Sequence, residues 1–441
     1  MTHLSPGARA VEPYPFEELD RRRAAARDAG TELIDFGVGD PRDETPPFIR
    51  DALAAAVTPV SSYPRAAGLP ELREAIAGWV GRRFDVDLEP DEHVLPILGA
   101  KELVFSLAQM VVDPAAGKDL VLCTAPGYPV PERGARFAGA ETLRLPLEAE
   151  HGFWPRLDLL DDATWDRAAI LWLNSPNNPT GAIATHEQLR DAAERCRRHD
   201  VRLASDEASS ELWFGEAPAP SALQTGELTN VVAIHTLSKR SSMTGYRSGF
   251  AAGDPELIGA LRRLRPAVGV TPQEFVQRAS VAAWSDDDHV RRARAMYGER
   301  RRMFLDLFAE LGVEVAPTEG TFYLWVEVPG GRPSAPFAYD LLERGHGVGT
   351  RSVEPLLDGR VERVGEVRPA EPGLQGDECV IVVGGAGRHL GGELSDDRCD
   401  LRRQGCRAIP LIEAARRVSA DLLERRPGHV RHDLVVLALG R

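Results

Sequence analysis

The chain has 441 residues with 53 Lys and Arg against 67 Asp and Glu, a formal net charge of −14, and 43% hydrophobic residues. That charge repels nucleic acid phosphates and anionic lipid, and no apolar run approaches the roughly 18 residues of a membrane span, so small-molecule chemistry is the expected business of the protein. Cys123, Cys196, Cys379, Cys399 and Cys406 show no CxxC or other metal-ligand spacing, which predicts reduced thiols and no metal centre. The N-terminus lacks the charged-then-apolar pattern of a secretory signal, so a cytoplasmic location is expected.

From about Leu33 to Gly253 short apolar runs alternate with amphipathic stretches, the pattern of a mostly parallel sheet wrapped by helices. Helical periodicity over Glu71–Arg82 puts Leu72, Ile76, Trp79 and Val80 on one face, and a second helix is predicted over Lys101–Val112. Candidate strands follow at Val121–Thr124, Ile170–Asn174, Arg202–Ser205, Val231–Thr236 and Ser248–Ala252. An Arg-rich helix from His289 to Leu311 then leads to an alternating strand Thr321–Val328 and a helix Ala335–Glu343, which reads as a second, α+β domain. The expected organisation is an N-terminal arm (1–30) joining the small domain, a large α/β domain (31–275), the small domain (276–345) and a tail (346–441). The tail stands apart because all 14 Phe, 7 Tyr and 7 Trp precede residue 346.

In an open α/β sheet, ligands sit beyond the carboxyl ends of the strands. Three of those ends are polar here: Ile170–Asn174 runs into Ser-Pro-Asn177-Asn178-Pro-Thr-Gly181, Arg202–Ser205 into Asp206-Glu207, and Val231–Thr236 into Leu-Ser238-Lys239. A lysine amine, a carboxylate and an amide at one edge suit pyridoxal 5′-phosphate (PLP): the amine bonds the aldehyde, the carboxylate keeps the pyridine nitrogen protonated, and the amide meets the ring hydroxyl. Alone, each piece is unremarkable, since an Asp after a strand is commonly a helix cap and NNPTG is commonly a turn.

In this order and spacing the residues resemble the class I/II aminotransferases of PLP fold type I. The family's S-x-S-K motif, with an arginine eight residues on, corresponds to Thr236-Leu-Ser238-Lys239 and Arg247. The resemblance implies that Thr236, Ser238 and Arg247 hold the cofactor phosphate, together with Ala100 and Lys101 at a helix start whose amides and dipole favour anions. It implies that Tyr128 stacks on the ring and that Tyr63 reaches the phosphate of a neighbouring subunit, hence a homodimer. Gly39, in Phe36-Gly-Val-Gly-Asp-Pro41, corresponds to the loop that closes over the substrate, which Asn178 also contacts, and Lys239 is the catalytic acid and base. The strings FGVGDP, SYPRAAGLPELREAI, PGYPVPERGARFAGAE and HTLSKRSSMTGYRSGF look most like the succinyldiaminopimelate branch. Glutamate as donor and N-succinyl-2-amino-6-oxopimelate as acceptor are therefore expected. Another amino acid aminotransferase of the branch, a PLP-dependent C–S lyase releasing pyruvate and ammonia, and a non-catalytic relative are the competing readings.

Two departures bear on activity. The family's D-E-A-Y reads Asp206-Glu-Ala-Ser209 here, and a serine is too short to reach where the tyrosine phenol meets the ring hydroxyl. After Gly345 the family's V-x-P-G-x-x-F and Y-x-R-L-x-L segments are missing, and with them the arginine that clamps the substrate carboxylate. Arg368 stands near the right chain distance, but Pro369 and Pro372 flank it and exclude an interior strand. A one-base shift of reading frame accounts for the difference: with suitable synonymous codons, Glu366–Leu374 then spells Arg-Tyr-Val-Arg-Leu-Ser-Leu-Val. The alternative is a genuine extension, with a helix Leu411–Leu423 presenting Ile412, Ala415, Val418 and Leu422 on one stripe.

Overall fold

A computed structural model describes residues 3–4, 6–9, 17–28, 39–310, 312–317 and 319–326, with 334, 336 and 339 and the strand positions 350–352, 379–384 and 434–439. The chain divides into two compact units, Met1–Glu12 with Glu44–Ala295 and Glu319–Thr321, and Pro13–Asp43 with Met296–Thr318 and Phe322–Arg441.

The first unit is built on seven strands: β1 Val94–Ile97, β2 Leu120–Ala125, β3 Glu141–Pro146, β4 Ala168–Asn174, β5 Arg202–Asp206, β6 Val231–Thr236 and β7 Gly249–Gly253, in the order β1-β7-β6-β5-β4-β2-β3. Strands β2 to β6 pair in parallel, and β7 runs antiparallel to both β6 and β1. The central strands are continuous apolar runs because both faces are covered. Ile170 and Trp172 of β4 pack with Leu103, Leu107, Val130 and Leu257 from helices on one side, while Leu171 and Leu173 pack with Leu189 and Ala192 on the other. Helix Pro70–Phe84 buries the expected Leu72, Ile76, Trp79 and Val80 against Phe250 and Trp284.

Two strands escape the apolar-run pattern. Pro96 interrupts β1, which tolerates it because β1 lies at the sheet edge and pairs only with β7. At the opposite edge, β3 carries a half-exposed, partly polar sequence.

The second unit contains helix Glu17–Asp28 and a four-stranded sheet of β8 Trp325–Val326, β9 Thr350–Ser352, β10 Cys379–Gly384 and β11 Leu434–Leu439, ordered β8-β11-β10-β9. Asp43 is held there by the Tyr297 hydroxyl at 2.9 Å and by a fork from Arg300 at 2.9 and 3.1 Å. The strand expected over Thr321–Val328 is only Trp325–Val326 within the described residues. Thr321 takes a positive φ of 62° and its N–H donates to Leu212 O at 2.8 Å, so this stretch joins the loop after β5 instead of extending as a strand. Most of Ala335–Glu343 and all of Leu411–Leu423 lie outside the described residues, as does Arg368.

Candidate active site

The register of the sheet gathers the polar strand ends. Asn174 lies opposite Asp206, Asp206 opposite Ile234, Thr236 opposite Gly249, and Gly249 opposite Ile97. The turns following β1, β2, β4, β5 and β6 therefore all leave one edge, carrying Gly99 to Lys101, Tyr128, Asn178, Asp206 and Lys239 respectively.

Asn174 ties two of these turns together. Its amide donates to Asp206 O at 2.7 Å and its Oδ1 accepts the Asn178 N–H at 2.6 Å, which fastens the NNPTG turn to the end of β5. The Asn177 Oδ1 accepts both N–H and hydroxyl of Thr180, at 3.2 and 2.9 Å, and fixes the turn internally. Asn178 itself stays half-buried, and its side chain makes no hydrogen bond among the described residues.

Lys239 sits in the short helix Leu237–Arg240, capped by Thr236, whose Oγ1 accepts the Ser238 N–H at 3.1 Å and lies 2.9 Å from Ser238 Oγ. Its neighbours anchor the turn. Arg240 is buried against Trp79 and Trp284 and donates to Ala283 O at 2.6 Å and Asp287 Oδ1 at 2.7 Å. Burial lowers its pKa to about 10, and it remains a cation at neutral pH. Ser241 Oγ is 2.9 Å from His289 Nε2, whose Nδ1 is 2.6 Å from Asp286.

Arg247 stands in the left-handed region at φ 54° and donates from Nη1 to Thr244 O at 2.9 Å, without an ion pair among the described residues. Its guanidinium lies against Gly99, which has φ +72° and precedes the helical stretch from Ala100; a Cβ at Gly99 would strike Nη2 of Arg247. A half-buried guanidinium facing backbone amides across a glycine forms a cradle for an anion. Gly99→Ala is accordingly expected to lower PLP affinity about tenfold or more, about 1.4 kcal/mol, alongside a stability cost of about 1–3 kcal/mol from the strained φ. Fluorescence titration of the free protein with PLP and thermal unfolding measure the two effects separately. Lys101 is exposed, with Nζ 5.8 Å from the centre of the half-buried Tyr128 ring.

Asp206 is buried, and its Oδ1 accepts the Ala208 N–H at 3.1 Å. Burial pushes its carboxyl up to about 6, with the Ala208 hydrogen bond pulling the other way. Among the described residues it forms no ion pair; the neighbouring His235 favours its ionised form from a distance, and a protonated ring nitrogen would supply a direct partner. The residues present therefore fit PLP: a buried carboxylate without an ion pair, an arginine cradle short of an anion, and a lysine on the same edge.

Not every expected site residue joins this group. Tyr63 is fully exposed and makes no hydrogen bond among the described residues. Gly39 belongs to the second unit, packed against Tyr323. Ser209 is buried, and its carbonyl accepts the Leu212 N–H at 2.8 Å. Sequence reasoning gave Asn174 no role of its own and read Gly99 only as part of the helix start that meets the phosphate, although a polar residue ending an apolar strand and a glycine before a helix mark both positions.

An open α/β fold with this strand-end chemistry defines a ligand site of the kind PLP enzymes use. The family model for aminotransferase class I and II matches residues 31–362, and the chain belongs to that family of PLP-dependent enzymes acting on amino and keto acids. An LL-diaminopimelate aminotransferase of Aquifex aeolicus is 37% identical over 347 residues, 78% of this chain and 89% of that protein. Among solved structures, a Thermus thermophilus aspartate aminotransferase mutant superposes with a TM-score of 0.74 at 28% identity, covering 80% of this chain and 91% of that one. A probable N-succinyldiaminopimelate aminotransferase of Thermus thermophilus gives 0.70 at 30% identity, covering 75% and 89%. The family match ends at residue 362, close to where the sequence departs from the family's pattern.

Proposed function

We propose that this chain transfers an amino group from glutamate to N-succinyl-2-amino-6-oxopimelate. The observation that carries the cofactor half of this reading is the buried Asp206, without an ion pair among the described residues, on the same strand edge as Lys239 and the Gly99–Arg247 cradle. When bound, PLP supplies an electron sink for negative charge developing at the substrate Cα. Lys239 Nζ would take the proton from that carbon as general base and deliver it, as general acid, to the cofactor's C4′ carbon. Asp206 keeps the ring nitrogen protonated, the Asn178 amide donates to the ring hydroxyl and faces the substrate, and Tyr128 packs on the ring. Ala100, Lys101, Thr236, Ser238 and Arg247 hold the phosphate. Tyr63, exposed in the single chain, serves the phosphate of a second copy in a homodimer, and Gly39 belongs to a loop over the substrate. In this reading residues 31–275 are the large cofactor domain, 276–345 with the arm 1–30 the small domain, 346–441 the divergent tail, and the enzyme works in the cytoplasm.

The name of the Aquifex aeolicus relative favours a second reading, in which LL-diaminopimelate itself is the amino compound. Half-reactions separate the two. The PLP-loaded protein is mixed in turn with glutamate, N-succinyl-LL-diaminopimelate and LL-diaminopimelate, and the Lys239-dependent visible band is followed. Glutamate and the succinyl compound are expected to discharge it. Discharge by LL-diaminopimelate and not by the succinyl compound selects the second reading, and a band that none of the three alters overturns aminotransfer between these partners.

A further inference from the structure

Asp206 and Glu207 are consecutive carboxylates, and both are buried, at 8% and 1% exposure. Side chains alternate across a strand, so Glu207 turns away from Asp206 and lies with Ser205, whose hydroxyl donates to Glu207 Oε1 at 2.8 Å. The Ala222 N–H fills the same oxygen at 2.8 Å. The other oxygen, Oε2, lies 3.0 Å from Nε2 of His235 of β6, outside hydrogen-bonding geometry, and accepts no hydrogen bond among the described residues. His235 immediately precedes Thr236 and is 1% exposed; its Nδ1 lies 3.3 Å from Ser210 Oγ. Asp206 at the end of β5 lies opposite Ile234 of β6, and Glu207, the next residue, meets the next residue of β6, His235.

The surroundings leave the Glu207–His235 pair to settle its own charge. Trp79, Phe84 and Phe250 approach the His235 ring with centroids at 5.2, 5.6 and 4.9 Å. Glu211, Lys239 and Arg240 line the same crevice as His235. Glu211 is matched by Arg83 at 2.7 Å and Arg294 at 3.4 Å, and Arg240 by Asp287 at 2.7 Å. Among the described residues, the one ion-pair partner of Glu207 is His235. Neighbouring carboxylates away from water do not both ionise freely; each raises the proton affinity of the other unless a cation intervenes.

We propose that Glu207 and His235 hold one proton between them as a buried pair and so keep Asp206 ionised for the ring nitrogen of the cofactor. Both are positioning residues, acting on the cofactor only through Asp206, and the proposal rests on the cofactor reading above. A neutral glutamine at 235 leaves Glu207 uncompensated beside Asp206, whereas a neutral glutamine at 207 removes the competing charge.

The test is the dissociation constant of PLP between about pH 5 and about pH 9, read from the visible band and from tryptophan fluorescence, for wild type, His235→Gln, Glu207→Gln and the double variant. Wild-type affinity is expected to fall as the pH drops through the ionisation of Asp206. His235→Gln should move that midpoint up by about one pH unit, about tenfold in affinity below the midpoint. Glu207→Gln should move it down, and the double variant, with the pair's net charge restored, should return towards wild type. A uniform loss of affinity at every pH, with unmoved midpoints, overturns the proposal and marks the pair as packing only. If His235→Gln does not fold, Glu207→Gln and the double variant carry the same comparison. PLP binding that is indifferent to both Lys239→Ala and Asp206→Asn would instead overturn the cofactor reading itself.

Discussion

Lys239→Ala is expected to remove the visible band of the PLP-loaded protein and to lower amino-group transfer by about 10³-fold or more, towards the upper end of what a positioned proton-transfer group contributes. The fold should survive, because the turn that carries Lys239 is held by other residues. Thr236 caps it, Arg240 donates to Ala283 O and Asp287, and Ser241 meets His289. Circular dichroism and thermal unfolding of the free variant should therefore match wild type within about 0.5 kcal/mol. The Gly99–Arg247 cradle proposed for the phosphate is also untouched, so the variant should still bind PLP non-covalently, with the absorbance of the free aldehyde. Retention of the band, or of turnover within about tenfold of wild type, would show that another amine does the work.

The central strands are legible in the sequence because burial on both faces demands apolar runs, and their polar ends are conspicuous for the same reason. Asn174, Asp206 and Thr236 end β4, β5 and β6, where the residues proposed for the cofactor site lie. Less regular elements escape. Pro96 hides β1, yet the register of Ile97 with Gly249 is what sets Gly99 beside Arg247. His235 is a polar residue in an otherwise apolar strand, a visible oddity whose partner Glu207 is fixed only by strand pairing. Thr321 shows the opposite failure: its run alternates like a strand, but its N–H is spent on Leu212 O. Tyr63 and Gly39 depend on resemblance alone, since neither meets the strand-end group within the first unit of one chain.

Asp206→Asn should make the free protein more stable and the loaded protein weaker. The carboxyl is raised from 3.8 to about 6 by burial, so the folded state holds its proton more tightly than the unfolded state. The sign follows: the favourable contribution is complete below about pH 4 and is lost as the pH rises through about 6. Above that, ionised Asp206 costs the free protein about 3 kcal/mol at roughly 1.4 kcal/mol per unit of pKa. Asparagine removes the ionisation and keeps the shape. Free Asp206→Asn is thus expected to gain up to about 3 kcal/mol over wild type at about pH 8 and nothing near about pH 4. PLP should reverse the order, because the variant offers no charge to the ring nitrogen and loses a charge-assisted hydrogen bond of about 1.5–3 kcal/mol, roughly ten- to a hundredfold in affinity. Thermal unfolding at the two pH values, with and without PLP, reads both effects. A variant no more stable than wild type when free at about pH 8 would mean that the buried carboxylate already has a partner; one that binds PLP as tightly as wild type would remove Asp206 from the cofactor site.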